Sequence, residues 1–527
     1  MRFFSLKSSL ALAAVLAAGL TTTPLQAQPL KTLRVAVIGG SVANAGFPAR
    51  FGGRLVADSV VSYAFSGATV LRSGDSSYWT SGKLAQIFTY QPDIIVFHLG
   101  ANDSKPVNWG DSANFEKDYK ALIDTLASMP SAPRMIVAYP TPVWKDETAP
   151  QSPQLLRNSV IGGSILAKIR KVAKDKATDT VDLYTPMLAR QTLFTDSITP
   201  STAGTDTLGR RLFLGYIDQS IRIACVGNSI TYAVGTNGSI NAKQAYAARL
   251  NMQLGKRYYV WNGGKSGWWM QRATLPGSSS QYKSYVTDKT QMDSLFFLKP
   301  HFITVKLGTN DARQDFWVGS RYIADYQYFI DTLYNNMSPK PQFVLLKPIP
   351  AWRKSGNWQF SNTGTVNGVT LTPENNGING DIIRDSVGPA LDVIAASRPL
   401  AVKQVINLYT PMLPYGPDST IKLVTDGVHP TAVGQDTLAR ILYRAIQPTV
   451  TSVKPALAGH RNPAQPARAS RLILIAPSAA NGRNVGLKSI DGKSVPGQGL
   501  VAPGVYVKPA TSKTSKNDAG NKSGQGN

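Results

Sequence analysis

The chain has one cysteine and four histidines in 527 residues, and it is poor in acid, with 31 Asp and Glu against 56 Lys and Arg. A lone Cys225, set in the apolar run RIACV, has no second thiol to pair with, so an internal disulfide is excluded and the residue reads as part of a buried strand. Long apolar runs are also missing. Outside the N-terminal segment nothing approaches the roughly 20 apolar residues that a membrane-crossing helix needs. The formal net charge of +25 favours acidic polymers, cell surfaces and anionic lipid by long-range attraction. No nucleic-acid-binding motif accompanies that charge, which sets nucleic acid aside as a partner.

What is present begins with a removable segment. Arg2 and Lys7 precede the apolar stretch Leu10 to Leu20, and small residues follow up to Ala27. This reads as a secretory signal over 1–27, with an apolar core too short to span a bilayer. The mature protein is therefore expected outside the cell or on its surface, ahead of the periplasm. The remaining length suggests two or three domains.

A repeat of domain size supplies the division. FEKDYKALIDTL (115–126) matches IADYQYFIDTL (323–333), HLGANDS (98–104) matches KLGTNDA (306–312), and YPTPVW (139–144) matches KPIPAW (347–352). Asp103 and Asp311 are 208 positions apart, as are Trp144 and Trp352, so the middle of the two copies aligns almost without gaps. The hexapeptide LYTPML recurs at 183–188 and 408–413. Within each copy, β-branched apolar runs (LRVAVIGG, DIIVFHLG, RMIVAYP; IRIACVGN, FITVKLG, QFVLLKP) alternate with stretches of helical spacing such as NFEKDYKALIDTLAS. That order predicts an α/β fold, a parallel sheet with helices on both faces and ligands at the carboxyl ends of the strands. Domains are expected at 31–218 and 219–447, followed by a Pro, Ala and Arg-rich linker (448–470), a small β-rich region (471–510) and a polar tail (511–527). Residues 451–527 hold eleven Lys and Arg against two Asp, so the basic charge is partly concentrated in this appendage, which makes an anionic cell-wall or plant polymer a candidate partner.

The chemistry gathers at predicted strand ends of the second copy. Ser229 in IACVGNSIT follows one strand, Gly267 in VWNGGKSGWW a second and Asn310 in KLGTND a third; Asp426 and His429 lie three residues apart in VTDGVHP (424–430). Each alone is ordinary: a serine caps helices, a glycine or asparagine makes turns. Together they supply a nucleophile, a base to take its proton, an anion to orient that base and donors for a developing negative oxygen. Of the four histidines, His98 lies in a strand-like run, His301 precedes one and His460 is in the linker; His429 alone stands in a loop beside a carboxylate.

In that order and spacing, GNSIT, SG, GTND and DGVHP resemble the SGNH, or GDSL-type, hydrolase superfamily. The resemblance implies two tandem flavodoxin-like domains and an ester hydrolase working without metal or cofactor. It implies Ser229 as nucleophile with His429 and Asp426 completing a triad, and Ser229, Gly267 and Asn310 as oxyanion hole. SGATVLRSGDSSYW and LGANDSKPVNW in the first copy resemble bacterial members described as sialate O-acetylesterase-like or acetylxylan-esterase-like. The implied substrate is an acetylated polysaccharide or oligosaccharide, hemicellulose ahead of pectin or sialoglycans. Tryptophans near the second-copy loops (Trp261, Trp268, Trp269, Trp317, Trp352, Trp358) suit sugar stacking or core packing. A lipid or thioester hydrolase, and a noncatalytic glycan-binding surface protein, are the competing readings. NVGLKSIDGKSVPGQGLVAPGVYVKP resembles the end of a type IX secretion sorting domain.

The first copy departs at one place. It keeps Ser41, Gly67, Asn102 and Asp196, but TDSITP (195–200) has Thr199 where the other copy has His429. A threonine is no general base near neutral pH. The first domain is therefore expected to be catalytically silent, kept for packing or for binding glycan.

Overall fold

A parallel strand in the middle of a sheet is covered on both faces, and the apolar runs that carry no alternation form such strands here. The computed structural model describes residues 32–55, 59–145, 147–148, 152–234, 242–274, 283–313, 316–355, 357–359, 365–366, 369–370, 378–451, 471–474 and 505–508. The expected signal segment, all but the start of the linker and the polar tail lie outside these residues. Five parallel strands, β1 (Arg34–Gly39), β2 (Ser59–Ser62), β3 (Ile94–His98), β4 (Arg134–Ala138) and β5 (Asp179–Val181), make one sheet in the order β2-β1-β3-β4-β5. The second sheet repeats the pattern with β6 (Ile221–Gly227), β7 (Tyr258–Gly264), β8 (Phe302–Lys306) and β9 (Gln342–Lys347). Its fifth strand comes after two short hairpins, β10 (Arg353–Ser355) with β11 (Asn357–Gln359) and β12 (Thr365–Val366) with β13 (Val369–Thr370); it is β14 (Val402–Asn407), and the order is β7-β6-β8-β9-β14. Both sheets are wound alike, and in each the chain reverses its direction of winding between the first strand and the third. Loops leaving those strands part there and open a crevice at the carboxyl ends.

Helices on both faces are built from one-sided patterns. Phe115–Ala127 buries Phe115, Tyr119, Leu122, Ile123 and Leu126, and Gly319–Asn336 buries Tyr322, Tyr326, Phe329, Ile330 and Leu333, both at helical spacing. A five-residue π-helical turn recurs at the same place in each copy, Ile161–Ile165 and Ile383–Val387. Ile165 packs on Gly100 and Val387 on Gly308, so each turn braces the loop that leads to Asn102 or Asn310. The helix Ala432–Thr451 continues four residues into the span expected as linker, with Val450 fully buried against the core. Of the β-rich region, the described residues form two strands, β15 (Arg471–Leu474) and β16 (Val505–Lys508), paired antiparallel.

The two sheets share a joint. Helix Thr202–Asp218 closes the first copy and leads into β6 after only Gln219 and Ser220. One apolar cluster runs from Val35 and Phe51 through Leu212, Phe213 and Tyr216 into Ile223 and Tyr258. Arg134, at the start of β4, binds across this joint. Its Nε meets Asp179 Oδ2 at 2.5 Å, Nη1 donates to Ser220 Oγ and to the Lys256 carbonyl, both at 3.0 Å, and Nη2 donates to the Gln219 carbonyl at 2.8 Å. Lys256 Nζ returns the contact by donating to the Ser131 carbonyl at 3.1 Å and to that of Ala132. With its side chain 3% exposed, Arg134 cannot be removed without taking a buried partner from Asp179, from Ser220 and from two carbonyls. Arg134→Ala is expected to cost about 3–5 kcal/mol and to split thermal unfolding, followed by calorimetry, into two transitions; a single transition at the original temperature would disprove the role of this joint.

Candidate active site

β6 ends at Gly227, and Asn228 stays extended (φ −95°, ψ −153°) while its side chain accepts a hydrogen bond from the Ile230 N–H at 3.2 Å. That cap starts the short helix Ser229–Tyr232 and puts Ser229 first in it, 7% exposed, at the carboxyl edge of the sheet. Gln435, from the helix that follows the histidine loop, donates from Nε2 to the Ile230 carbonyl at 2.9 Å and accepts from the Tyr246 N–H at 2.9 Å. The helix that starts at Ser229 and the element that follows His429 are thereby tied together.

The histidine loop is organised by its own carboxylate. Asp426 Oδ1 accepts from the N–H of Val428 at 2.9 Å and of His429 at 2.6 Å, which leaves Oδ2 for His429 Nδ1 at 2.7 Å. Gly427 takes φ +85° to let the chain turn back on the carboxylate. His429 Nε2 then stands 3.0 Å from Ser229 Oγ. Burial pushes the Asp426 carboxyl up, but the His429 side chain and the two backbone N–H groups outweigh it and hold the group below the usual carboxylate range. The carboxylate thus stays ionised beside Nδ1, favouring the tautomer that leaves Nε2 able to accept a proton.

The donors come from the neighbouring loops. After β7, Gly267 adopts φ +78°, and after β8 the Asn310 amide, 6% exposed, donates from Nδ2 to the Trp268 carbonyl at 2.8 Å. An amide nitrogen carries two hydrogens, so one remains for a ligand. Asp311 fixes the loop behind Gly267, accepting from the N–H of Met270 at 3.0 Å and of Gln271 at 2.9 Å. Burial raises the Asp311 carboxyl to about 6 and that of Asp103, its counterpart, to about 7, against the pull of those N–H groups.

The first copy has the same framework around a different side chain. Asp196 Oδ1 accepts from the N–H of Ile198 at 2.9 Å and of Thr199 at 2.5 Å, and Oδ2 accepts from Thr199 Oγ1 at 3.0 Å. Ser197 takes the left-handed turn at φ +70° that Gly427 takes in the other copy. Gly67 has φ +86°, and Asn102 Nδ2 donates to the Ala68 carbonyl at 3.1 Å. Ser41, Gly67, Asn102, Asp196 and Thr199 line one cleft. His98 takes no part in it: it is buried in β3 with its ring edge-on to Phe47, centroids 5.3 Å apart, and burial drives it down to about 4.

Two features of the site differ from or exceed the sequence reading. Trp261, Trp268, Trp269 and Trp352 are core residues, none more than 8% exposed, so these four present no open face for a sugar; Trp317 is half-buried against Tyr322, and the side chain of Trp358 is outside the described residues. Asp311 and Gln435 hold the loops together without having been marked in the sequence. The repeated ND pair was a signal for the first; nothing local points to Gln435. Among the described residues, no three His, Cys, Asp or Glu side chains are grouped to hold a metal ion.

Residues 26–206 and 225–437 match the GDSL-like Lipase/Acylhydrolase family. A protein described as acetylxylan esterase from Xylanibacter ruminicola is 30% identical over 248 residues, covering 44% of this chain and 44% of that protein, so the chain spans less than half the length of this curated relative. Similar solved structures include an aryl esterase of M. smegmatis (16% identity, 44% of this chain, 99% of that one, TM-score 0.33) and a carbohydrate acetylesterase family member from Sinorhizobium meliloti (14% identity, 44% and 99%, TM-score 0.32).

Beside this machinery lies a buried cation. Lys306, which sits opposite Gly227 in the register of β8 with β6, is fully buried and its Nζ has no hydrogen-bond partner among the described residues. Burial lowers it to about 7. Because the folded value lies below the unfolded one, the unfolded chain binds the extra proton between about pH 7 and 10.5, and stability rises with pH across that window. Lys306→Met is expected to stabilise the fold by roughly 1–3 kcal/mol at neutral pH. In denaturant titrations the gain should be full below pH 7 and fade toward pH 10; a gain that does not vary with pH would refute a buried, deprotonating amine.

Proposed function

Since this chain belongs to the GDSL-like Lipase/Acylhydrolase family, we propose that it is an exported serine ester hydrolase that removes O-acetyl groups from polysaccharide, with hemicellulose first among the candidates. The observation that carries the reading is the unbroken relay from Asp426 Oδ2 to His429 Nδ1 at 2.7 Å and from His429 Nε2 to Ser229 Oγ at 3.0 Å. The acetylxylan esterase relative supports the choice of acyl group and polymer. Ser229 Oγ attacks the acyl carbon while His429 Nε2 takes its proton, and Asp426 balances the imidazolium that forms. The negative oxygen of the tetrahedral intermediate accepts from the N–H groups of Ser229 and Gly267 and from the Asn310 amide, each donor worth roughly two or three orders of magnitude in rate. His429 returns the proton to the departing sugar oxygen. Water, deprotonated by the same imidazole, then frees acetate from Ser229.

The first copy is noncatalytic on this reading, because Thr199 can hold Asp196 but cannot accept the serine proton. Acetate release from acetylated xylan and from an aryl acetate tests the division of labour. Ser229→Ala is expected to lower turnover by about 10⁶-fold, and Ser41→Ala to leave it unchanged. Activity that survives Ser229→Ala and disappears in Ser41→Ala would invert the assignment. An intact chain that cleaves no short-chain ester would favour a noncatalytic glycan-binding protein, and a preference for long acyl chains would favour lipid or thioester substrates.

The matched geometry of the two loops yields a second prediction. On a Ser229→Ala background, Thr199→His places an imidazole over Asp196 and is expected to raise aryl acetate hydrolysis at least tenfold, a gain that Ser41→Ala removes. Hydrolysis that persists after Ser41→Ala would show that the first-copy serine is not responsible.

A further inference from the structure

The copy without a base still carries an open cleft of about 360 Å³, within the range of about 300–1,000 Å³ typical of small-ligand sites. We propose that this first-copy cleft is a noncatalytic binding site for an O-acylated sugar, the class of ester that the second copy hydrolyses; the proposal rests on that hydrolase reading. The cleft keeps what recognises an ester and lacks what breaks it. Asn102 spends one amide hydrogen on the Ala68 carbonyl at 3.1 Å. Its Nδ2 lies so close over Gly40, the residue before Ser41, that a Cβ added there would meet it at 2.7 Å, and the amide keeps a second hydrogen for a ligand in the cleft that Ser41 and Asn102 both line. An acyl carbonyl seated there accepts from the same donor types as in the second copy. Among the described residues that line the cleft, none stands where His429 does to take the Ser41 proton: Thr199 Oγ1 is committed to Asp196 Oδ2 at 3.0 Å and Asp196 Oδ1 to two N–H groups. A bound ester therefore persists.

The charges select a neutral ligand over a carboxylate. Lys105 reaches the cleft but is paired with Asp75 at 2.9 Å. Lys145 donates to the Asp196 carbonyl oxygen at 2.9 Å, and its charge is among the influences that keep the Asp196 carboxyl below its usual range. Lys105 is neutralised by a carboxylate, and Lys145 is bonded to a carbonyl with the Asp196 charge near it, so a sugar ester is favoured over a uronate despite the chain's overall +25. Leu155 and Leu156 supply apolar wall for an acetyl methyl or a ring face. On a polymer with many acetyl groups, such a site raises the local concentration of substrate without any new contact at Ser229.

The test uses the full chain with Ser229 capped by an alkyl phosphonofluoridate, which fills the second site, and follows binding of acetylated xylo-oligosaccharide by saturation-transfer NMR. The capped chain is expected to bind it, with at least tenfold weaker binding after the oligosaccharide is deacetylated. Thr199→Trp, which fills the cleft, should weaken binding at least tenfold with an unchanged melting transition, and Leu156→Trp serves as a second filling variant. No binding, or binding indifferent to acetylation or to both variants, would overturn the proposal. If Ser229 resists capping and the intact chain hydrolyses no ester, the parent reading fails; if capping and hydrolysis proceed and the capped chain does not bind, only the cleft proposal fails.

Discussion

A parallel sheet must cover both of its faces, and that requirement organises the whole molecule. Each strand has to return to the same end through a helix, so every loop leaving a carboxyl end lies along one edge of the sheet. In the order β2-β1-β3-β4-β5 and its repeat β7-β6-β8-β9-β14, the reversal of winding between the first and third strands splays those loops apart. The serine, glycine, asparagine and aspartate motifs sit on loops at this edge in both copies. The site is thus a consequence of how the sheets are wound, and the side chains decide only what chemistry is done there.

The loop that carries the proposed base shows that separation most clearly. In both copies an aspartate closes the turn through backbone N–H groups, Asp426 with Val428 and His429, Asp196 with Ile198 and Thr199. The turn does not need the imidazole in order to form. Replacing histidine by threonine therefore removes a proton acceptor while leaving the scaffold standing, and this is why a histidine-less copy retains a cleft of ligand size. The same robustness keeps the first-copy cleft open to a ligand where a collapsed loop would offer none.

Burial has been accepted elsewhere for polar groups that serve as structural ties. Asp103 and Asp311 sit inside the protein and hold the loops behind Gly67 and Gly267 through backbone N–H groups. Arg134 is buried at the joint and binds groups from both copies. These are favourable where every donor finds an acceptor. Lys306 is a different case, an amine buried in a strand with no acceptor, and its cost is met by losing the proton.

Much of this was legible in the sequence. The central strands β1, β3, β4, β6, β8 and β9 are mainly apolar runs without alternation because they are buried on both faces, and the repeat with its strand-end motifs named the residues of the candidate site, including the threonine at 199. The edge strands β2 and β5 were not legible: only partly buried, they carry short mixed runs such as SVVS and DTV that lack a distinctive period. Nor could spacing reveal that Gln435 reaches Ile230, that Arg134 reaches Lys256, or that the tryptophans beside the site face inward. Those facts depend on which distant segments pack together, and a side chain's surroundings are set by that packing. The sequence by itself determined which chemical groups stand at each strand end; the tertiary structure alone decided their distances, because winding and packing, not local pattern, bring His429 within 3.0 Å of Ser229.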